Sequence, residues 1–321
     1  GFREAGMEGI KLERRVLDIA SKHNIRVLGP NCLGVISTFT PLNASFAAGM
    51  PPKGGIAFMS QSGALCTAIL DWAEQVNIGL KHFVSLGNKA VVDENTLLGE
   101  WGPAYSENNE NIIFAGYLED FSNGREFMEL CSAIAPKHPV VLFVPGGTER
   151  TKKAISSHTG SLASDDKIVV TALRQSGCLR VKGIQEFFDT IQLLSRQSVP
   201  RGNRVAIVTN AGGPAVVTTQ RIEASTMAMA DLSDSTRQNL SETLPEAASL
   251  ANPVDLLGDA TAERYESALE TVLLDENVDS VIAVLTPQKS TPVENIASAI
   301  IEKNRKYSFK PLIPCFIGGK T

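Results

Sequence analysis

The chain has 321 residues, of which 43% are hydrophobic and 20% charged, and its formal net charge at pH 7 is −5. This composition is typical of a soluble globular protein with about two to three domains. A net negative charge and only 6% aromatic residues argue against a nucleic-acid partner. The sequence has no run of 18 apolar residues, so we expect no membrane span.

The cysteine and histidine patterns argue against disulfides and metal sites. The five cysteines are odd in number and no two have metal-ligand spacing, while the four histidines stand singly. We therefore expect no metal site, and reduced thiols in a cytoplasmic protein. No signal peptide is visible, and the chain opens on GFREAG without a methionine, so we expect a piece of a longer polypeptide.

Short apolar runs alternate with amphipathic helices in the first part of the chain. The runs predicted as strands are IRVLG (25–29), GGIAFM (54–59), HFVSLG (82–87), IIFAGYLE (112–119) and PVVLFV (139–144). Their continuous apolar character is expected of parallel strands that are covered on both faces. Apolar residues at helical spacing predict helices around 65–72, 127–134 and 184–191. This alternation predicts a doubly wound α/β fold.

A polar segment, SRQSVPRGNR (195–204), has the composition of a linker. The same plan recurs after it, with strands predicted at RVAIVTN (204–210), SVIAVLTP (280–287) and LIPCFIGG (312–319). The glycine-rich turn TNAGGPAVV (209–217) could bind an anion, although we interpret it as a tight turn that needs glycine. Residues 1–48 are too few for a domain, and we interpret them as the tail of one.

The strand predicted at 54–59 runs into Ser60, Gln61, Ser62 and Gly63, directly before a helix. Small residues let an anion approach the free N–H groups at a helix start, where the helix dipole favours negative charge. The turn is therefore a candidate phosphate site. The alternative is that Ser60 or Ser62 only caps the helix. The turn is not a P-loop, because no Gly-Lys-Ser or Gly-Lys-Thr follows.

Two acidic residues, Glu119 and Asp120, follow the strand predicted from residue 112. Ligands of open parallel sheets bind beyond the carboxyl ends of the strands. A carboxylate at this place can orient a histidine and stabilise its protonated or phosphorylated form. The alternative is an exposed loop acid or a helix cap.

A single histidine, His158, lies in KKAISSHTGSLASDD (152–166), a stretch of small and polar residues. That composition is typical of a mobile or closely approached loop, whereas a core histidine would have apolar neighbours in periodic register. The chain has no G-x-S-x-G elbow, which argues against a serine hydrolase. The pattern leaves a nucleophilic or acid–base histidine, because neutral imidazole attacks phosphorus well near pH 7. The alternative is a solvent-exposed loop histidine.

Six motifs occur in order along the chain. The first part contains VLGPNCLGVI (27–36), IAFMSQSGAL (56–65), VSLGNKAVVDE (84–94) and SSHTGSLA (156–163). The second contains RVAIVTNAGGPAV (204–216) and NPVDLLGDA (252–260). Together they resemble the NDP-forming acyl-CoA synthetases, the ADP-forming acetate–CoA ligase family that is related to succinyl-CoA synthetase. The resemblance covers essentially the whole chain.

The resemblance implies two flavodoxin-like, doubly wound parallel-sheet domains at 49–198 and 199–321, the second truncated at its C-terminus. Residues 1–48 would be the C-terminal remnant of a Rossmann-like CoA-binding domain. The family also has an ATP-grasp domain, on the same chain or on a separate subunit, that binds ATP or ADP with Mg²⁺. That domain is absent from this sequence, so we expect the chain alone to be inactive. The resemblance further implies an oligomer.

The same resemblance implies a reaction and a set of site residues. The family interconverts acyl-CoA, ADP and phosphate with a carboxylic acid, ATP and CoA, through an acyl phosphate and a phosphohistidine. His158 matches the phosphorylated histidine, Glu119 matches the glutamate that contacts it, and Ser60 to Gly63 match the helix start that holds the phosphate. Three further residues would lie near the substrates: Asn31 near the acyl and thiol end of CoA, and Gly87 and Asn88 facing the acyl phosphate.

Two other classes of protein stay open. Some protein lysine acetyltransferases carry a related region as a regulatory, acyl-CoA-sensing module, in which the catalytic histidine is often lost. His158 is retained here, which argues against that class. The other class is a non-catalytic acyl-CoA-binding subunit. An acetyltransferase domain in the full gene would indicate the first class, and phosphorylation of His158 would argue against both.

Overall fold

The computed structural model describes residues 2–108, 110–146, 148, 150–151, 165–289 and 291–318. Its contacts divide the chain into two compact units, Gly1–Ser195 and Arg196–Thr321. The division lies within the polar segment 195–204 that has linker composition. None of the helices described here is long and apolar enough to cross a membrane.

The first unit is an α/β layer structure around one sheet. Its described strands are β1 (Gly34–Ser37), β2 (Leu42–Ser45), β3 (Lys53–Ser60), β4 (Leu80–Ser85), β5 (Ile113–Tyr117), β6 (Val140–Phe143) and β7 (Leu179–Val181). Its described helices are a short 3-10 helix (Arg3–Ala5), α1 (Met7–Lys22), α2 (Gly63–Gln75), α3 (Glu94–Glu107), α4 (Gly124–Ile134), α5 (Asp166–Gln175) and α6 (Ile184–Arg196). The helices predicted around 65–72, 127–134 and 184–191 are confirmed as α2, α4 and α6.

The strand order of this sheet is β2-β1-β4-β3-β5-β6-β7. Strands β4, β3, β5, β6 and β7 are parallel neighbours in that order. Counted from β3 as the first strand, this is the order 2-1-3-4-5 of flavodoxin-like folds. The chain leaves β3 towards β4 on one side and then crosses to β5 on the other. The switch point, where such folds bind ligands, therefore lies beyond the carboxyl ends of β3 and β5.

Alternating side chains of β3 explain why its sequence is apolar throughout. Ala57 and Met59 belong to one buried cluster, together with residues of α3 and α4. Ile56 and Phe58 belong to the opposite cluster, with residues of α2 and α6. Because successive strand residues point to opposite faces, a strand covered on both sides needs apolar side chains at every position. The predicted doubly wound fold is confirmed for this unit.

The prediction of a strand at IRVLG (25–29) is wrong, because the structure assigns these residues to no strand. Their backbone bonds to a loop instead: the carbonyls of Val27 and Gly29 accept hydrogen bonds from the N–H groups of Val92 (3.1 Å) and Ala90 (2.9 Å). An apolar run becomes a strand only where a neighbouring strand completes the ladder of hydrogen bonds. The chain instead forms the antiparallel hairpin β1–β2, which joins the sheet at β4.

The second unit repeats the α/β plan around a parallel sheet. Its described strands are β8 (Arg204–Thr209), β9 (Ala228–Met229), β10 (Val254–Asp255), β11 (Ser280–Leu285) and β12 (Leu312–Phe316). Its described helices are α7 (Gly212–Glu223), α8 (Asp234–Thr243), α9 (Ala262–Leu274) and α10 (Val293–Lys306). The strand order is β10-β8-β11-β12, and β9 also pairs with β8. The strands predicted at 204, 280 and 312 are confirmed as β8, β11 and β12.

Candidate functional site

The turn between β3 and α2 lies at the switch point of the first sheet, where the sequence predicts a phosphate site. Ser60 is fully buried, its hydroxyl donates to the Ser62 carbonyl (3.1 Å), and its oxygen accepts from the Ser62 N–H (3.0 Å). The Ser62 hydroxyl oxygen then caps α2 by accepting from the Leu65 N–H (3.2 Å). Ser62 is therefore the N-cap of α2, as the alternative interpretation of this turn expects.

The same turn leaves donors for an anion. Among the described residues, the N–H groups of Gly63 and Ala64 have no hydrogen-bond acceptor. A Cβ at Gly63 would meet nothing within 4 Å, so the space beside this residue is open. Two N–H groups with a helix dipole behind them favour a phosphate oxygen. The cap and the phosphate site are thus compatible, because they use different N–H groups.

Gln61 connects this turn to the acidic residues that follow β5. Its side-chain oxygen accepts from the backbone N–H groups of Glu119 (2.6 Å) and Asp120 (3.2 Å). Its side-chain nitrogen donates to the Asp120 carboxylate (2.9 Å). The amide is buried, so these bonds are protected from water. The sequence-predicted residues 60–63 and 119 are therefore brought together by one side chain.

Glu119 is 8% exposed, and one of its carboxylate oxygens accepts from the Tyr117 hydroxyl (3.1 Å). Burial, followed by the negative charge of Glu119, raises the pKa of Tyr117 well above its ordinary value. Tyr117 therefore stays a neutral donor at physiological pH. His158, the predicted partner of Glu119, lies outside the described residues, so the contact between them stays a prediction.

A buried ion cluster lies beside Gln61, and sequence reasoning missed it. The Lys89 ammonium contacts the carboxylates of Glu94 (2.9 Å) and Asp120 (2.6 Å) and donates to the Asp120 carbonyl (2.9 Å). The side chains of Lys89 and Glu94 are 3% and 0% exposed. Glu94 also accepts from the Ser122 N–H (2.6 Å). Through these hydrogen bonds the cluster fixes the backbone of residues 120–122, directly after Glu119.

The three substrate-proximal residues predicted from the resemblance have different surroundings. Asn31 lines a cleft next to the α2 start, whereas Gly87 and Asn88 are not part of the described lining. Gly87 has φ +54°, and a Cβ there would overlap the carbonyl oxygens of Pro30 and Asn31. The Asn88 side-chain nitrogen donates to Glu4 and Glu13, at 2.9 Å each.

The cleft next to the α2 start has a volume of about 370 Å³, within the range of small-ligand sites. Its lining consists of Asn31, Cys32, Leu33, Phe46, Gln61, Ser62, Gly63 and Ala64. Burial raises the pKa of the Cys32 thiol, so the thiol stays protonated at neutral pH and is a poor nucleophile. The chemistry that this lining supports is anion binding by N–H groups. Within the described part of the chain, no cluster of three or more His, Cys, Asp or Glu could hold a metal ion.

The second unit contains a turn with the same hydrogen bonds. The Thr209 hydroxyl donates to the Ala211 carbonyl (3.1 Å) and accepts from the Ala211 N–H (3.0 Å), as Ser60 does with Ser62. The Asn210 side chain then binds the backbone N–H and carbonyl of Thr286, directly after β11, at 2.9 and 3.0 Å. TNAGGPAVV is thus a tight turn at a strand end, built on the plan of residues 60–63.

Replacing Ser62 by alanine is expected to lower the free energy of unfolding by about 1 kcal/mol, because the Leu65 N–H loses its cap. Ser62→Asn, which retains a capping oxygen, is the matched control and should stay within a few tenths of a kcal/mol, about the spread among good caps. Urea unfolding of both variants measures the difference. Equal midpoints for the two variants would contradict the capping role.

Comparison with known proteins shows which family model and which proteins this chain is similar to. Residues 53–194 match the family model described as a succinyl-CoA ligase like flavodoxin domain. The chain is 38% identical over its full length to acetate–CoA ligase [ADP-forming] I of Archaeoglobus fulgidus and covers 45% of that protein. It is 37% identical to acetate–CoA ligase [ADP-forming] II subunit alpha of Pyrococcus furiosus, with 99% of this chain and 69% of that subunit covered.

A solved structure shows the same fold. It is a dinucleotide-forming acetyl-coenzyme A synthetase 1 of Ca. Korarchaeum cryptofilum, in complex with phosphate and ADP. The TM-score is 0.92 at 31% identity, and the match covers 99% of this chain and 68% of that one. The chain therefore spans about half the length of a full-length relative and about two thirds of an alpha subunit.

Proposed function

Because the chain belongs to the family of ADP-forming acetate–CoA ligases, we propose that it is the acid–thiol ligase part of an NDP-forming acyl-CoA synthetase. The reaction interconverts acyl-CoA, ADP and phosphate with a carboxylic acid, ATP and CoA. The observation that carries this proposal is the side chain of Gln61, which lies in the turn before α2 and accepts a hydrogen bond from the backbone N–H of Glu119, so that the helix start at Gly63 and Glu119 belong to one site.

The first step takes place at the α2 start. Phosphate, held by the N–H groups of Gly63 and Ala64, attacks the carbonyl carbon of acyl-CoA with one of its oxygens. The C–S bond breaks, the CoA thiolate leaves and takes up a proton, and an acyl phosphate remains. Asn31 is in the lining of the same cleft, and we propose that it contacts the acyl and thiol end of CoA. The fixed N–H dipoles bind the negative charge with little reorganisation during the step.

The second step moves the phosphoryl group to His158. An imidazole nitrogen attacks phosphorus, the P–O bond to the acyl group breaks, and the carboxylate leaves. In this proposal the Glu119 carboxylate accepts a hydrogen bond from the other ring nitrogen and stabilises the positive charge on the ring. ADP then attacks the phosphohistidine with a terminal phosphate oxygen, the P–N bond breaks, and ATP forms. Gly87 supports this site by its close packing against Asn31.

The nucleotide site belongs to another part of the complete enzyme in this proposal. We propose that an ATP-grasp domain or subunit binds ATP or ADP with Mg²⁺, which neutralises phosphate charge there. A relative named as a subunit alpha, and the share of the full-length relative that this chain spans, support a separate or fused partner. The proposed assembly is cytoplasmic and oligomeric, and it turns over acyl-CoA, carboxylate and phosphate.

A coupled assay tests the proposal. The complete ligase, with its ATP-grasp part, should form ATP from acetyl-CoA, ADP, phosphate and Mg²⁺, with one CoA released for each ATP. The chain of residues 1–321 alone should form none. Binding of acetyl-CoA without CoA release would reject the enzyme and indicate a non-catalytic subunit. Transfer of the acetyl group to protein lysines, with no ATP formed, would indicate the regulatory region of an acetyltransferase.

A further inference from the structure

Phe46 follows the hairpin β1–β2 and has an unusual exposure for an aromatic residue. Its side chain is 89% exposed, more than any other large hydrophobic residue that the structure describes. Its backbone N–H donates to the Leu33 carbonyl (3.0 Å), which holds the residue at the cleft next to the α2 start. Exposure of a phenyl ring to water is unfavourable, so an exposed ring in the lining of a cleft is a candidate contact for an apolar ligand group.

Phe39, a second phenylalanine of the same segment, differs from Phe46 because its ring contacts charged groups of the protein. Phe39 has the Lys81 ammonium over its ring, 4.2 Å from the centroid, and the Lys53 ammonium at 5.9 Å. Its side chain is 53% exposed. Phe46 makes no ring contact of this kind with any described residue. The two rings can therefore be compared, because Phe39 has cationic partners in the protein and Phe46 lines the cleft.

The lining of the cleft contains both polar groups and apolar side chains. The N–H groups of Gly63 and Ala64 suit a phosphate, while Phe46 and Leu33 are the only large apolar side chains of the described lining. An acyl phosphate likewise has a charged part and an apolar part, because its phosphate dianion is joined to a short hydrocarbon chain. The apolar wall therefore fits the acyl chain once the phosphate occupies the helix start.

We propose that Phe46 is the acyl-facing wall of the site and sets the chain length of the carboxylic acid that the ligase accepts. This inference rests on the proposed function and adds its specificity-determining residue. One methylene in an apolar pocket changes kcat/KM by about 10-fold or more, so the size of a single wall residue is enough to select among short acids.

A size series at Phe46 in the complete ligase tests the inference, with acetate, propionate and butyrate as substrates. Phe46→Ala should raise the KM for acetate about 10-fold and shift the butyrate-to-acetate ratio of kcat/KM by at least about 10-fold towards butyrate. Phe46→Leu should give a smaller shift in the same direction. The KM for ATP in the same assay should stay within about twofold, because the nucleotide does not touch the apolar wall. Phe39→Ala is the matched control and should leave the ratio unchanged.

The outcomes separate the two proposals. A wild-type ligase with no activity on any acid would reject the proposed function itself. An active wild type in which Phe46→Ala leaves the butyrate-to-acetate ratio unchanged would reject the role of Phe46 alone. A Phe46→Ala variant that loses kcat equally with all three acids would show a structural role for the ring, which also overturns the inference.

Discussion

The His158→Ala variant of the complete ligase should take up no label from ATP that carries a radioactive terminal phosphate, whereas the wild type becomes labelled. The label of the wild type should be acid-labile and base-stable, because a phosphorus–nitrogen bond hydrolyses when the nitrogen is protonated. Formation of acyl-CoA by the variant should fall to background, since the phosphoryl group then has no acceptor between nucleotide and acid. Phosphoprotein labelling measures the first effect, and the disappearance of the free CoA thiol in the presence of acid and ATP measures the second.

His23→Ala provides the matched control for this experiment. His23 is an exposed residue directly after α1, so its loss changes a histidine without touching the cleft. It should be labelled like the wild type. Equal labelling of His158→Ala and the wild type would reject the phosphohistidine step and leave acyl-CoA binding as the function of this region.

Replacing Lys89 by methionine should lower the free energy of unfolding by about 3–5 kcal/mol. The variant retains the volume of the side chain but leaves the carboxylate of Glu94, which is 0% exposed, without its cation. A buried charge that loses its partner keeps its full desolvation cost. Chemical unfolding of the chain measures the loss, and Lys22→Met, at the exposed end of α1, should stay within about 0.5 kcal/mol of the wild type.

A double variant identifies the cause of that loss. Lys89→Met combined with Glu94→Gln removes the buried negative charge together with its cation, so it should recover part of the stability of Lys89→Met. Interaction between the two substitutions is expected because the residues are in direct contact. Additive effects of the two substitutions would show that Lys89 and Glu94 do not interact energetically. A Lys89→Met variant as stable as Lys22→Met would show that the charge of Lys89 contributes nothing to the fold.

The elements that sequence predicts well are those whose signal is local. The continuous apolar run of β3, the helical spacing of α2 and the small residues between them are read from neighbouring positions, and all are found in the structure. Ser62 as a cap belongs to the same class, since its partner is three residues away. For these elements, backbone sterics and burial are decided within one turn or one strand.

The features that sequence does not predict depend on distant partners. Gln61 and Asp120 are 59 positions apart, and nothing near Gln61 indicates that its amide will bind the backbone after β5. Lys89 reads as a surface residue until the fold places Glu94 and Asp120 around it. For residues 25–29 the local pattern predicts a strand that does not form. The apolar pattern is typical of a strand, but the neighbouring segment that binds its carbonyls is a loop.

The similar turns of the two units differ in the length of the amide side chain that binds the neighbouring loop. Gln61 binds the N–H of Glu119, two residues beyond the end of β5, whereas Asn210 binds the N–H of Thr286, one residue beyond the end of β11. The longer amide has one more carbon–carbon bond, about 1.5 Å, and reaches one residue further along its loop. The extra methylene of glutamine therefore accompanies a hydrogen bond to a residue one position further beyond the strand end. Two otherwise equivalent turns can therefore hold different residues opposite their helix starts.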